Sequence, residues 1–309
     1  MKADFAFFCH NPSELSDQRR HIHLTPADFF IFNPNTSTCP IFRSKADGEL
    51  TKFIYKKTPI LINKAKGENL WKIHFLSMFH MTNDSHLFRT REQLEKDGFK
   101  LRGNRFEKAR KVYLPLYEAK MFWLYDHRYG TYSIMDKKVK TTLPKPTPRQ
   151  YADPSFLALP WYWVPEDEVE NRVERVGWKR KYLLAFRNIA RAIDERIAIF
   201  SILPKVGVGN SAPLILTFSS PLLIPCLLAN LSSIIFDWVA RQKIGGANIN
   251  LFYLEQLPAF PPSAYGKKEM IFIVPRVLEL VYTAWDVKPF ADDVWKSSDD
   301  ELRRAIQMQ

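Results

Sequence analysis

The chain has 309 residues, of which 46% are hydrophobic and 25% are charged, so it is long enough for one large or two ordinary domains, and wholesale disorder is excluded. Its 45 Lys and Arg against 33 Asp and Glu give a formal net charge of +12, and residues 89–149 alone carry 16 basic against 7 acidic side chains. This concentration of positive charge suggests a surface that meets a polyanion.

Residues 1–66 are predicted to be a connecting region. The apolar run at the N-terminus is too short for a signal peptide. The three cysteines are far apart and odd in number, which predicts neither a disulfide framework nor a CxxC metal site. Both features favour a reducing cytoplasm. Within this region, Ser44–Lys57 has a helical pattern with Leu50, Phe53 and Ile54 on one face.

A short helix and then strands are predicted between residues 90 and 132. Thr90 and Gln93 form a capping box, which begins a helix that ends before Gly98. Gly103-Asn104 is typical of the turn of a β-hairpin. Two further strands are predicted at Val112–Tyr117 and Lys120–Tyr125. The apolar and aromatic segment 113–132 thus lies inside the most basic block of the chain.

A Pro-rich stretch follows. Residues 144–165 carry six of the 21 prolines and are predicted to form a long ordered loop or a joint between sub-domains. Trp178–Asp194 then has the amphipathic spacing of a helix, and Arg196–Leu203 is predicted to be a buried strand. Ser219–Ala240 is apolar enough to resemble a membrane span, but its polar residues favour a buried core helix that stops near Gly245-Gly246.

Several phrases, in a fixed order, resemble one known family. LPLYEAK (114–120) followed by DHR (126–128) is similar to the target-recognition region of adenine-specific DNA methyltransferases, which belong to Type IIG restriction–modification and to the related BREX and DISARM phage-defence systems. Similar runs extend the resemblance over most of the chain, from about residue 4 to residue 262. These runs are NPNTSTCPIFRSKADGELTKFIY (33–55), FLSMFHMTNDSHLF (75–88), FRNIARAIDERIAIFSILPKVGVGN (186–210) and IGGANINLFYLEQLP (244–258).

The resemblance implies a fold class and a division into parts. The implied class is α+β: a target-recognition domain with a small, twisted, mostly antiparallel sheet, flanking helices and long Pro-rich loops. Residues 1–66 would connect to a methyltransferase domain absent from this sequence. Residues 67–262 would form the DNA target-recognition domain, and residues 263–309 would form a C-terminal helical segment.

The catalytic motifs of the family are not found in this sequence. Those enzymes carry a Gly loop that binds S-adenosyl-L-methionine and an Asn-Pro-Pro-aromatic motif. The nearest strings here, Asn11-Pro12-Ser13 and Asp153-Pro154-Ser155-Phe156, have Ser in place of the second Pro. The resemblance therefore implies sequence-specific recognition of double-stranded DNA for methylation of adenine at N6, by a chain that is not catalytic on its own. S-adenosyl-L-methionine would belong to a methyltransferase domain or subunit, which is the expected partner besides DNA. For this chain itself no cofactor, metal or membrane is expected.

Ten side chains are the candidates for contact with DNA. Arginines suit phosphates, or guanine O6 and N7 through a bidentate contact, and tyrosines at a glycine-containing loop tip suit bases. The alternatives are ion pairs with Asp194 and Glu195 for the arginines and core positions for the tyrosines. The candidates are Lys120, Arg128, Tyr129, Tyr132, Arg187, Arg191, Arg196, Lys205, Asn210 and Ser211.

The last three candidates lie around a glycine motif. Residues 207–212, GVGNSA, match the dinucleotide fingerprint G-x-G-x-x-A, but Pro213 and an apolar run follow where that fingerprint requires a helix. A glycine-hinged loop is favoured instead, either as an approach to the DNA backbone or as a plain turn.

Two other classes of function stay open. Glu118-Ala119-Lys120 matches half of a metal-dependent nuclease motif, although the two charged side chains are as well explained by pairing with each other. The other class is a protein-binding or RNA-binding subunit of a phage-defence complex, which a preference for RNA over duplex DNA would support. The seven histidines lack the spacing of a metal site.

Overall fold

The computed structural model describes residues 3–139, 141–191, 193–244 and 246–308, and confirms the expected α+β class. The strands are β1 (Ala3–Phe5), β2 (Ile22–Leu24), β3 (Ile73–Leu76), β4 (Arg89–Thr90), β5 (Lys100–Arg102), β6 (Arg105–Lys108), β7 (Lys111–Tyr117), β8 (Tyr162–Pro165), β9 (Tyr182–Phe186), β10 (Phe200–Pro204), β11 (Gly207–Val208) and β12 (Leu214–Thr217). The helices are α1 (Pro26–Phe32), α2 (Lys45–Lys57), α3 (Arg91–Lys96), α4 (Pro148–Ala152), α5 (Glu166–Glu174), α6 (Leu223–Leu231), α7 (Ile234–Lys243), α8 (Leu251–Leu254), α9 (Lys267–Val281), α10 (Lys288–Ser297) and α11 (Asp300–Gln307).

The chain divides into two compact units, each built from separate stretches of sequence. The first unit comprises residues 1–73, 190–198 and 230–264. The second comprises residues 74–189, 199–229 and 265–309. The first unit contains the β1–β2 pair with α1, α2, α7 and α8, and the second contains the two larger sheets with α3–α5 and α9–α11.

In the first unit, the predicted helix after Ser44 is present, but its buried face was predicted wrongly. Ser44 caps α2 by accepting a hydrogen bond from the Asp47 amide. Leu50 and Phe53 are 50% and 60% exposed, whereas Tyr55 is buried against Phe32, with ring centroids 5.7 Å apart. The aromatic contact with α1 decides which face is buried. Leu and Phe at other positions therefore remain on the outside.

A histidine joins two segments near the N-terminus of the first unit. The Nδ1 atom of His21 lies 2.6 Å from Oδ2 of Asp4, and its Nε2 lies 2.7 Å from the Leu15 carbonyl. The Leu15 carbonyl and then the Asp4 carboxylate raise the pKa of His21 above its ordinary value. Because the folded-state pKa is raised, this contact stabilises the fold fully at acidic pH and is lost as pH rises through the folded-state pKa.

We expect Asp4→Asn to lower the pKa of His21 towards its ordinary value, as followed by the imidazole proton shifts in an NMR titration. Glu68→Gln, which removes a negative charge elsewhere in the first unit, serves as the control and should leave the titration unchanged. A wild-type His21 that titrates at or below the ordinary value of about 6.5 would contradict the observed contact.

In the second unit, β7 is the central strand of the larger sheet. The strand order is β4-β8-β7-β6-β5, with antiparallel pairing throughout, and β11 pairs with β7 in parallel. The predicted hairpin turn at Gly103-Asn104 joins β5 to β6, and the predicted capping box begins α3. The Pro-rich stretch contains α4 and ends in β8.

The second sheet, of order β10-β9-β12-β3, corrects the helix predicted at Trp178–Asp194. Tyr182–Phe186 is instead a strand, β9, in which all five residues are buried, and it pairs with β10 and β12. A continuous apolar run of this length has no helical or strand period of its own. Pairing on both sides decides for the strand, so Arg187 and Arg191 do not share a helix face.

The glycines of the GVGNSA motif allow one strand to approach another closely. Gly207 of β11 pairs with Leu116 of β7, and a Cβ atom added at Gly207 would lie 2.4 Å from Cγ2 of Val164 and 3.2 Å from the Pro115 carbonyl. Real Cβ atoms essentially never approach another atom as closely as the first of these distances, so the Val164 side chain or the backbone would have to move. The first glycine of the motif is thus required by strand packing and not by a hinge.

We expect Gly207→Ala to lower the free energy of unfolding by about 1–3 kcal/mol, because overpacking forces backbone or side-chain shifts. Chemical denaturation measures the loss. Gly246→Ala is the control, because its added Cβ would have no described atom within 4 Å. Equal stability of the two variants would show that β11 and Val164 separate at little cost.

The segment 219–240, predicted to be one buried helix, forms two. Ser233 caps α7 by accepting from the Phe236 amide, which breaks the segment between α6 and α7. Among the described residues, no single helix is long and apolar enough to cross a membrane. The pair α6 and α7 reaches that length and composition only together, with a bend of 54° between them.

Candidate nucleic-acid interface

Six exposed cations lie on one short meander of the second unit, formed by β5, β6 and the start of β7. We call it the basic meander. Within residues 99–113 the only acidic residue is Glu107. Its Oε2 lies 3.4 Å from Nε of Arg102. The exposed cations are Lys100, Arg102, Arg105, Lys108, Arg110 and Lys111.

The register explains why three of these side chains face outwards. Leu101, Phe106 and Tyr113 lie opposite one another on one face and pack with Trp163 around the buried Leu94. Lys100, Arg102 and Arg105 alternate with them and therefore lie on the other face. Lys108 and Lys111 instead share the face of Phe106 and Tyr113, and Nζ of Lys108 donates to the Asp97 carbonyl at 2.6 Å.

On that outer face, Arg102 and Arg105 are direct cross-strand partners. Like charges in such a position repel each other, and one carboxylate does not neutralise them. Charge on the edge strand β5 also prevents edge-to-edge aggregation. The number of cations nevertheless exceeds what a three-residue edge needs for this purpose.

A second group of side chains surrounds a stacked aromatic pair. The rings of Trp123 and Tyr129 stack, with centroids 5.2 Å apart and planes inclined by 20°. Cζ of Arg187 lies 4.6 Å from the Trp123 ring and 5.6 Å from the Tyr129 ring, and Nζ of Lys145 lies 4.7 Å from the Tyr129 ring. We call these four residues the aromatic–cation cluster. The first three are half-buried, and Lys145 is exposed.

The loop after β7 positions this cluster, and it is not the strand predicted at Lys120–Tyr125. A single turn of 3-10 helix spans Ala119–Met121, and the Trp123 amide then donates to the Asp126 carbonyl at 2.7 Å. Tyr125 has a φ of 62°, a left-handed conformation that is costly for a bulky residue. Such strain persists where surrounding structure enforces it, and it is concentrated at functional loops.

Gly130 closes the loop for steric reasons. A Cβ atom there would lie 2.7 Å from the Lys120 carbonyl and 2.9 Å from Cβ of Leu143. The Gly130 amide also donates to the Met121 carbonyl at 3.0 Å. The loop therefore returns directly past its own start, and this return places Tyr129 beside Trp123.

Arg187 has most of its hydrogen-bonding capacity unused. Its Nε and Nη2 both donate to the Phe122 carbonyl, which occupies two of the five N–H groups. Within the described part of the chain, no carboxylate lies within 4.0 Å of the guanidinium. Desolvation lowers the pKa of Arg187 to about 10, with the nearby Tyr129 opposing the shift. The result is a desolvated cation that has no counter-ion among the described residues and three N–H groups without a protein acceptor there.

Arg128, another predicted DNA contact, differs from Arg187 because its hydrogen-bond donors are used within the protein. Its side chain is completely buried, and Nη1 donates to the Asp153 and Phe156 carbonyls. Nη2 donates to the Tyr151 and Thr283 carbonyls. In this conformation Arg128 is out of reach of DNA, and it fastens the Pro-rich stretch and the end of α9 to the loop after β7.

Its neighbour His127 belongs to the same buried group. Nε2 of His127 lies 2.8 Å from Oδ1 of Asp286, which adds a side-chain contact to the segment after α9. The DHR phrase therefore serves the packing of the second unit.

Two more candidates, Lys120 and Tyr132, make their contacts with other groups of the protein. Nζ of Lys120 lies 3.1 Å from Oε2 of Glu118 and also donates to the Val139 carbonyl. The hydroxyl of Tyr132, a buried residue, donates to the same carbonyl at 3.2 Å. The pairing of Glu118 with Lys120 is thus present, and no group of three or more His, Cys, Asp or Glu among the described residues is arranged to hold a metal ion.

The candidates of the GVGNSA region also make structural contacts. Nζ of Lys205 lies 2.6 Å from Oε1 of Glu170. Oδ1 of Asn210 accepts from the Met81 amide at 3.2 Å, and the Ser211 hydroxyl accepts from the Ala119 amide at 3.2 Å. These contacts attach the segment around β11 to α5, to the segment after β3 and to the loop after β7.

The remaining candidates, Arg191 and Arg196, belong to the first unit. Arg191 is exposed and pairs with Asp194 at 2.9 Å, which is one of the alternatives considered from the sequence. Nε of Arg196 lies 3.1 Å from Oδ1 of Asp237, and its Nη2 donates to the Ser232 carbonyl. Of the ten candidates, the structure brings Tyr129 and Arg187 together in the aromatic–cation cluster.

Sequence reasoning missed two members of this cluster and the individual cations of the basic meander. Trp123 was placed in a strand, and Lys145 lay unremarked in the Pro-rich stretch. A usable signal existed for the meander, since six Lys or Arg within residues 100–111 surround a predicted hairpin turn. No sequence signal brings Lys145 and Arg187, 42 positions apart, to the same tyrosine ring.

A scan against protein-family models found no match to this chain, and a search of curated proteins found no significant match.

Proposed function

We propose that this chain is the part of an adenine-specific (N6) DNA methyltransferase that recognises double-stranded DNA, as its resemblance to the restriction–modification and phage-defence enzymes implies. The observation that carries the proposal is the basic meander. Of its six exposed cations, five lie on paired strands and Arg110 lies in the turn between β6 and β7, and residues 99–113 contain one acidic residue, Glu107. Affinity for duplex DNA comes mainly from Lys and Arg contacts with phosphates.

The positions of these cations in the basic meander suit the binding of duplex DNA. Side chains on paired strands keep a fixed spacing, and neighbouring strands lie about 4.8 Å apart. A fixed array of positive charge can hold a duplex in one register, while sequence is read by other side chains at the base edges. Two-stranded ribbons are narrow enough to enter the major groove. Arg102 and Arg105, which face each other next to the turn, are the first candidates for such a contact.

Catalysis would lie outside this chain. S-adenosyl-L-methionine and the flipped adenine would be held by the methyltransferase domain or subunit, and this chain would present the duplex to it. The proposed partners are therefore duplex DNA and that methyltransferase part, and the proposed location is the cytoplasm. The nuclease alternative gains no support, because Glu118 and Lys120 are engaged with each other.

The proposal is tested by fluorescence anisotropy of the purified chain with a labelled 30-base-pair DNA duplex, in competition with an RNA duplex and a single-stranded RNA of equal length at the same salt concentration. We expect the DNA duplex to bind more tightly than either RNA. RNA that displaces the duplex at equal concentration would instead favour an RNA-binding subunit. Absence of binding to any of the three at low salt would favour a protein-binding subunit.

A further inference from the structure

The geometry points to the aromatic–cation cluster as a binding site for one unpaired nucleobase and its phosphate. The base would stack on the indole of Trp123, and Arg187 and Lys145 would hold the adjoining phosphate. This inference rests on the proposed function, because a duplex held by the second unit supplies the strand. It adds a site for an unpaired base, which the basic meander alone does not provide.

The distances show where Arg187 lies relative to the stack. If Arg187 lay on the far side of Trp123 from Tyr129, its distance to Tyr129 would approach the sum of the other two distances. It is instead 5.6 Å, against 4.6 Å to Trp123 and 5.2 Å between the two rings. Arg187 therefore lies beside the stack. No other described aromatic ring stacks on Trp123. The indole packs partly against the core of the second unit, and the remaining exposed part of this half-buried side chain is where a base would stack.

The charges define the class of ligand. Arg187 keeps three N–H donors without a protein acceptor in the described residues, and the ammonium of exposed Lys145 has no hydrogen bond or ion pair there. Both cations flank the ring of Tyr129. Two cations beside one aromatic stack match a base joined to a phosphate, since bases stack on aromatic faces and phosphates accept several charge-assisted hydrogen bonds.

The alternative is that the aromatic–cation cluster only packs the loop after β7 and binds no ligand. The protein supplies a comparison for it, because Trp295 of α10 and Arg303 of α11 form a similar pair at 5.7 Å. Among the described residues, no second aromatic ring and no further cation lies over that indole. Trp295→Ala is thus a matched control for Trp123→Ala. It removes a tryptophan next to an arginine at a place where no nucleotide is expected.

The test uses two DNA duplexes of the same sequence, one fully paired and one with a single extra 2-aminopurine in one strand. Anisotropy gives their affinities, and 2-aminopurine fluorescence reports stacking. We expect the wild-type chain to bind the bulged duplex about 10-fold more tightly and to quench its fluorescence. Trp123→Ala should abolish both effects while keeping the affinity for the paired duplex, and Trp295→Ala should change neither. If Trp123→Ala does not fold, Lys145→Ala, at an exposed position, should reduce the preference about 3-fold.

Two outcomes would overturn the inference, and they are distinguishable. Equal affinity for both duplexes with unchanged fluorescence would remove the unpaired-base site and leave duplex recognition in place. Failure to bind either duplex at low salt would remove duplex recognition itself, and the inference with it.

Discussion

Replacing Arg128 by Met should lower the free energy of unfolding of the second unit by about 3–5 kcal/mol, which is at the upper end for single substitutions. The side chain is completely buried and donates to four backbone carbonyls. Met fills most of the volume but donates nothing. The four carbonyls would then lose charge-assisted hydrogen bonds. Those of the exposed residues Asp153 and Thr283 regain water, whereas those of the half-buried Tyr151 and Phe156 cost about 1–3 kcal/mol each.

The loss of stability should also be concentrated in particular segments of the second unit. Three of the carbonyls belong to the Pro-rich stretch, and the fourth, that of Thr283, follows α9. Amide hydrogen exchange should therefore accelerate in residues 148–158 and 282–287 more than elsewhere in the second unit. Arg191→Met is the control, because Arg191 is exposed and pairs only locally with Asp194, so its effect should stay within about 0.5 kcal/mol. Similar losses of unfolding free energy in the two variants would show that Arg128 does not hold the Pro-rich stretch and the end of α9 to the loop after β7.

The second large effect concerns DNA. Replacing all six cations of the basic meander by Gln should lower the affinity for duplex DNA on the order of 100-fold at 100 mM salt and reduce the slope of log K against log salt by about 3–5. Each Lys or Arg that contacts a phosphate contributes a slope of about 0.9 through release of a counter-ion. The fold should persist, because the six side chains are exposed and the apolar residues of the packed face are unchanged. The contacts that are lost are those of Lys108 with the Asp97 carbonyl and of Arg102 with Glu107.

A matched variant has the same net charge as the Gln variant of the basic meander, but its substitutions lie on another surface. Six exposed cations on α9–α11 are replaced by Gln for this purpose. They are Lys267, Lys268, Arg276, Lys288, Lys296 and Arg304. We expect this variant to keep more than half of the wild-type slope. If both variants lose the same slope, DNA responds to the net charge of the chain and the basic meander has no special role.

The sequence predicted local elements well where short-range chemistry decides them. The capping box at Thr90 and Gln93 begins α3, and Gly103-Asn104 forms the hairpin turn between β5 and β6. Both depend on a few neighbouring residues and on backbone preferences. The strand at Val112–Tyr117 is present as most of β7 because its apolar and aromatic residues suit a buried central strand.

Prediction failed where distant residues decide the outcome. Tyr182–Phe186 has no period that distinguishes a strand from a helix, and its pairing with β10 and β12 settles the matter. The phrase DHR likewise gives no sign that Arg128 will be enclosed by carbonyls up to 155 positions away.

The candidate interface shows the same division. The basic meander is contiguous in sequence and could be found there, whereas the aromatic–cation cluster combines residues from the loop after β7, the Pro-rich stretch and the end of β9. Only the folded chain places Trp123, Lys145 and Arg187 around one tyrosine ring.

The most direct test of the central proposal is a selection from a library of randomised DNA duplexes with the purified chain, followed by sequencing of the bound fraction. Duplex recognition by the second unit predicts an enriched sequence motif, whose binding weakens steeply as salt rises and is lost in the Gln variant of the basic meander. A wild-type chain that retains no duplex at low salt, or that retains duplexes without any enriched motif, would contradict a sequence-specific DNA-recognition domain.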